Sequence, residues 1–315
     1  MANLSMASMS ATILLLGIVI TIPTGVQSIG VCYGMVGNNL PQPSEVVELY
    51  KSKKIGQMRI YFPNEDVLQA LKGSNIGLIL DVPREDLQSL ASDPSAASKW
   101  VQNNIKSYLP DVSFRYIAVG NEVIPGNDAQ YVLPAINNIH DALSASGLQN
   151  KIKVSTSVSQ GVLGKSYPPS SGTFSSNASS YIRDMKDIKI EYALFTSPGT
   201  VVNDPPYGYQ NLFDAIVDAI YSALEKMEGS NIPVVVSESG WPSADGTAAT
   251  MDNAKTYNQN LINHVSRGTP KRPGKAIEAY IFAMFNENQK KPPGIENNFG
   301  LLYPNKTPVY PINFG

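Results

Sequence analysis

Apolar residues along this chain gather into short runs rich in β-branched and aromatic side chains, each bounded by Gly, Pro or polar clusters. Between them lie longer stretches whose apolar positions recur every three or four residues. The short runs read as strands buried on both faces and the longer stretches as helices that cover them, so the alternation predicts a parallel sheet wrapped by helices. Seven strands are predicted, over 29–33, 57–62, 76–82, 114–122, 152–158, 232–238 and 276–285. Helices are predicted over 43–52, 65–71, 94–108, 129–146, 209–227 and 251–265. In the fourth of these, Val132, Leu133, Ile136, Ile139, His140 and Leu143 are expected along one face, packed on the sheet. An eighth strand is hard to place. Between Val158 and Ile232 the candidate is 188–195, whose alternation sets Lys189 and Glu191 to one side and suits a half-exposed strand.

Composition narrows the picture. The apolar core from Ala11 to Ile20 is too short to span a bilayer and precedes Gly25-Val-Gln-Ser28, which has the small-residue character of a cleavage site. A secretory signal peptide over 1–28 is expected, although its leading segment lacks Lys and Arg. The remaining residues, 29–315, suit a single (β/α)8 barrel domain of about 250 residues. With 43% apolar residues a large core is available, and a formal charge of −2 gives no reason to expect nucleic acid or an anionic membrane as partner. The single cysteine, Cys32, allows no internal disulfide and reads as a small buried hydrophobe. The end at Ile312-Asn-Phe-Gly315 has no hydrophobic tail for a lipid anchor. The expected location is therefore extracellular space or cell wall rather than vacuole, with Asn177 and Asn305 as glycosylation acceptors.

Candidate chemistry then rests on carboxylates. Only His140 and His264 are present, neither in a ligand-spaced cluster, and neither a Gly-x-Ser-x-Gly elbow nor a Gly-rich phosphate loop occurs. No metal and no cofactor are expected. Glu122 closes the apolar run from Phe114, and Glu238 closes the run from Ile232. The C-terminal ends of barrel strands are where such folds carry their chemistry. A carboxylate is costly among apolar neighbours unless paired or used. Hydrolysis of a glycosidic bond needs one carboxyl held protonated and one held ionised, and two strand ends around one barrel mouth meet that need. Either glutamate alone reads as a structural carboxylate capping a following helix.

Four motifs carry a resemblance. Ile29-Gly-Val-Cys-Tyr-Gly34 with Gly37-Asn-Asn-Leu-Pro41, Val119-Gly-Asn-Glu-Val123, Val234-Val-Val-Ser-Glu-Ser-Gly-Trp-Pro-Ser243 and Phe282-Ala-Met-Phe-Asn-Glu-Asn-Gln-Lys290 resemble, in order, the plant endo-β-1,3-glucanases of glycoside hydrolase family 17. The resemblance implies a retaining (β/α)8 hydrolase, of the defence-related, pathogenesis-induced type, that cuts internal bonds of β-1,3-glucans such as callose and fungal wall glucan. It implies Glu122 as general acid/base and Glu238 as nucleophile. Tyr33, Trp241, Phe285 and Phe299 are expected to offer flat faces to glucose rings. Asn121 is expected either to donate to a sugar hydroxyl or the nucleophile, or to hold the strand-to-loop turn. Glu287 and Lys290 match positions where an ion pair tunes the catalytic pair. The expected partner is β-1,3-glucan, bound by a monomer.

Two departures accompany the likeness. After Ser166-Tyr-Pro-Pro169 the relatives carry a longer helix and a strand before the segment matching Tyr192–Phe195, whereas here Tyr181-Ile-Arg-Asp-Met-Lys-Asp187 runs almost directly into Ile188. Most of one βα unit, on the order of 30 residues, is expected to be absent at the sixth strand. Phe62 stands where relatives usually place Asp. A glucan-binding or inactive relative with a broken barrel, and a hydrolase of mixed β-1,3/1,4-glucan, are the alternative readings.

Overall fold

In the computed structural model, residues 29–175 and 188–315 are described. The expected signal segment and Asn177 lie outside the described residues, as does 181–187. All seven expected strands form: β1 (Ile29–Cys32), β2 (Gln57–Ile60), β3 (Gly77–Val82), β4 (Ser113–Asn121), β5 (Lys153–Ser157), β10 (Val236–Ser239) and β11 (Ala279–Ile281). They make one parallel sheet in the order β10-β11-β1-β2-β3-β4-β5. Two small antiparallel hairpins stand apart from it, β6 (Leu163–Lys165) with β7 (Thr173–Phe174), and β8 (Val202–Asp204) with β9 (Tyr207–Tyr209). Every residue of β1, β2 and β3 is buried, as a strand covered on both faces requires.

Helices α1 (Pro43–Ser52), α2 (Glu65–Leu71), α3 (Leu87–Ser92), α4 (Pro94–Asn104) and α5 (Ala129–Ser144) follow the first strands, with α7 (Leu212–Lys226) and α8 (Met251–His264) later in the chain. Local chemistry sets their starts. Asn64, Asp93, Asn211 and Thr250 each accept a backbone N–H of the first turn, which satisfies a donor the helix itself cannot pair. In α5 the buried stripe is Val132, Ala135, Ile139, Ala142 and Leu143. Leu133 and His140, expected on that face, point to solvent instead, with Leu133 65% exposed. They sit seven residues apart on the flank of the stripe, so small alanines take the contact with the neighbouring helices.

Two expected strands are shorter than their apolar runs. The run from Ile232 enters the ladder only at Val236, because Pro233 brings no N–H. The run over 276–285 leaves the ladder after Ile281, where the Ala283 N–H turns to the Phe299 carbonyl at 3.0 Å.

The eighth-strand candidate does not form a strand. Within 188–195 the chain makes a short helix, α6 (Ile190–Ala193), that buries Tyr192 against Val202, Tyr209 and Ala215. Eight alternating residues are compatible with either state, and the β8–β9 hairpin and α7 offer the better burial. Among the described residues no strand of the sheet lies between β5 and β10, so the sheet curls into a barrel open at that point, as the missing unit predicts. Along β10 every residue is only half-buried. A cavity of about 670 Å³ fills the opening, walled by Val154 and Thr156, by Val234 and Val236, and by Val217 and Leu224 of α7. At the mouth, the hydroxyls of Ser157 and Ser237 meet at 2.7 Å.

Candidate active site

Glu122 reaches the barrel mouth through a sharp turn. Gly120 has φ +79° and Glu122 itself φ +52°, a left-handed backbone that is uncommon for a side-chain-bearing residue and concentrates at functional positions. Its N–H donates to the Ser157 carbonyl at 2.9 Å, which fixes the turn to the end of β5. Glu238 lies within β10, and both glutamates line one cleft of about 560 Å³ together with Phe62, Phe282, Glu287 and Lys290.

Arg59 organises this mouth from below. Its side chain, fully buried on β2, donates through Nε and Nη2 to Asp81 at 3.1 and 2.6 Å. Nη1 donates to Glu238 Oε1 at 2.7 Å and to the Ser237 carbonyl at 3.1 Å, while Nη2 also donates to Asn121 Oδ1 at 2.9 Å. Burial opposes the guanidinium charge, but Asp81 and Glu238 outweigh it and keep Arg59 protonated. Burial also pushes the Asp81 carboxyl up against the pull of Arg59. One planar, five-donor group thus binds residues from β3, β4 and β10 into a single rigid array.

The two glutamates differ in character as a result. Glu238 rests against a cation at 2.7 Å. Glu122 has no ion-pair partner among the described residues; the residue stands exposed at the rim, but partial desolvation by the cleft wall, reinforced by the negative charge of Glu238, raises its pKa above the ordinary glutamate range. One carboxyl is biased to keep its proton and its neighbour is paired with a guanidinium.

The remaining expected site residues divide. Glu287 is buried, its Oε1 accepting the Val36 N–H at 2.7 Å, and Gly34 leaves room for it because a Cβ there would collide with the carboxylate. Lys290 Nζ lies 3.5 Å from both Glu287 and Glu296 and 4.1 Å above the Phe282 ring. Phe299 meets Phe282 edge to face at 5.3 Å on the cleft wall. Trp241 is half-buried, its Nε1 donating to the Ala248 carbonyl, and lines the neighbouring cavity beside Glu238. Asn121 has its Oδ1 occupied by Arg59, so its Nδ2 is the end left to donate. Tyr33 and Phe285 are not cleft walls. They pack edge to face at 6.2 Å in the core, 3% and 1% exposed, because the short β1 and the turn after β11 place them below the rim.

Sequence reasoning missed Arg59, Asp81, Phe282 and Tyr61, a cleft residue whose ring lies 4.7 Å from the Arg59 guanidinium. A signal existed for the first two, since Gln57-Met-Arg-Ile60 and Gly77-Leu-Ile-Leu-Asp-Val82 each put one charge, of opposite sign, in a run expected to be buried on both faces.

A barrel whose strand ends hold one proton-retaining and one cation-paired carboxyl over a common cleft has the layout of a glycoside hydrolase. The sequence matches the family described as Glycosyl hydrolases family 17 in two stretches, 29–187 and 176–314, and the chain belongs to that family. It is 57% identical over 333 residues to a glucan endo-1,3-beta-glucosidase of Vitis vinifera, with 96% of each chain covered. It is also 51% identical over 317 residues to Lichenase-2 of Hordeum vulgare, covering 93% of this chain and 100% of that one. Among solved structures, one described under two plant beta-glucan endohydrolases with distinct substrate specificities superposes with a TM-score of 0.86 at 51% identity, over 90% of this chain and 100% of that one.

Proposed function

We propose that this protein hydrolyses internal β-1,3-glucosidic bonds of β-1,3-glucans with retention of configuration. The inequality of Glu122 and Glu238 within one cleft carries the reading. Glu122 gives its proton to the leaving oxygen while the Glu238 carboxylate attacks the anomeric carbon, forming a glycosyl ester and releasing the shortened chain. Esterification removes the negative charge of Glu238, one cause of the raised Glu122 pKa, so Glu122 is better suited to remain a carboxylate and take a proton from water. That water attacks the anomeric carbon and frees Glu238. Arg59 holds the nucleophile and Asn121 in place, the ion pairs of Lys290 shape the far wall, and Phe62, Phe282 and Phe299 offer apolar faces to glucose rings. The N-terminal apolar segment supports delivery through the secretory route, and the family likeness supports a role in defence.

The likeness to a lichenase favours a second reading, hydrolysis of mixed β-1,3/1,4-glucan. Purified protein incubated with a linear β-1,3-glucan and, separately, with mixed-linkage glucan distinguishes the two by reducing-end release. The expected result is release from the β-1,3-glucan as oligosaccharides of mixed length, with the β-anomer appearing first by proton NMR. Release from mixed-linkage glucan alone moves the assignment to the second reading. Release from neither, with the protein retained on a glucan column, leaves binding without catalysis.

A further inference from the structure

The opening between β5 and β10 has the form of a place for a strand. The sheet order runs from β10 to β5 through seven parallel strands, and these two end strands face each other across the cavity. In a parallel ladder the N–H and C=O of one residue point to the same side and successive residues alternate. The Ser157 carbonyl is turned toward β4, where it accepts the Glu122 N–H, so Val154 and Thr156 turn their peptide groups toward the opening. On the outer side the cavity is closed by the apolar face of α7, with Phe213, Val217 and Leu224, and on the inner side by Ile79 and Ala118. The five residues of β5 set its length at roughly 16 Å.

We propose that this slot binds an extended apolar peptide as an eighth strand, parallel to β5 and β10. The outward donors and acceptors of β5 have no partner among the described residues, and a small apolar molecule fills the volume without pairing them, which is costly between apolar walls, whereas a peptide backbone satisfies both edges. The dimensions of the occupant come from the relatives. The match to the grapevine protein spans 333 positions against the 315 residues of this chain, so at least 18 positions of the relative have no counterpart here. The family match divides into two stretches that meet at 176–187, after β5 and before β10. The contact between the Ser157 and Ser237 hydroxyls does not obstruct the ladder, since inward side chains of alternate barrel strands meet in the interior. The inference rests on the sheet and stands whether or not the chain cleaves glucan.

The probe is a synthetic, fluorescein-labelled peptide carrying the segment of the grapevine relative that lacks a counterpart here. Saturable binding at one peptide per chain is expected by fluorescence anisotropy. The Tm is expected to rise by about 5 °C when the free peptide is near 100 times Kd. The same peptide methylated on alternate backbone nitrogens keeps its side chains but loses ladder donors, and is expected to bind about tenfold or more weakly. A flat anisotropy titration with an unmoved Tm overturns the proposal. Equal binding of the methylated peptide also overturns it, and reduces the slot to a non-specific apolar cavity.

Discussion

Glu122 and Glu238 are one residue type in two environments, and the difference is measurable. With Glu238→Gln the repulsive charge disappears while the partial desolvation remains, so the Glu122 carboxyl is expected to titrate at lower pH than in the parent protein, followed by carbon-detected NMR. An unchanged titration shows that the two carboxyls do not sense each other. In the parent, hydrolysis needs Glu122 protonated, so kcat/KM is expected to fall as pH rises through a pKa above the ordinary glutamate value. Arg59 makes a second case at this scale. Removing it as Arg59→Leu leaves Asp81 buried and unpaired, an expected loss of about 3–5 kcal/mol in denaturant unfolding, and adding Asp81→Leu is expected to restore much of that loss. The carboxylate pair was legible because each glutamate ends an apolar run. Arg59 was hidden because its neighbours are apolar and its partners lie 22, 62 and 179 residues away. Tyr33 and Phe285 were misplaced because an aromatic near a strand end reads alike whether it stands above or below the rim.

At the scale of elements, α5 separates what periodicity reveals from what packing decides. Ile139→Ala is expected to cost about 2–5 kcal/mol, as for a buried aliphatic residue, while Leu133→Ala is expected to stay within about 0.5 kcal/mol. Chemical denaturation of the two variants checks the contrast, and equal losses mean that the face has been assigned wrongly. The helix itself was legible from its spacing. Which of its flanking residues touches a neighbour was not, because alanines at 135 and 142 bring the adjoining helices close and the larger Leu133 falls outside the contact. The stretch 188–195 was misread for a related reason: its alternation is local, whereas its helix is fixed by distant Val202, Tyr209 and Ala215.

For the whole molecule, seven strands and the place of the absent one were readable in the sequence, since each strand carries its own apolar run and the long interval between 158 and 232 lacks a convincing one. How the remaining strands adjust was not readable, because closure depends on contacts such as that between Ser157 and Ser237. An open barrel has two ends to its ladder. Backbone amides of β5 and β10 are therefore expected to exchange with deuterium faster than those of β2 and β3 under native conditions, and uniform protection across all seven would contradict an opening between them.

Cys32 turns that architecture into a measurement. Its Sγ, fully enclosed on β1, donates to the Ser237 carbonyl at 3.4 Å, and burial raises the thiol pKa far above its usual value. The sole sulfhydryl of the chain therefore stays silent toward a chromogenic disulfide reagent while the inner wall holds together. Each colour-forming event records one excursion in which that wall has parted, so the protein carries its own clock for breathing without any engineered label.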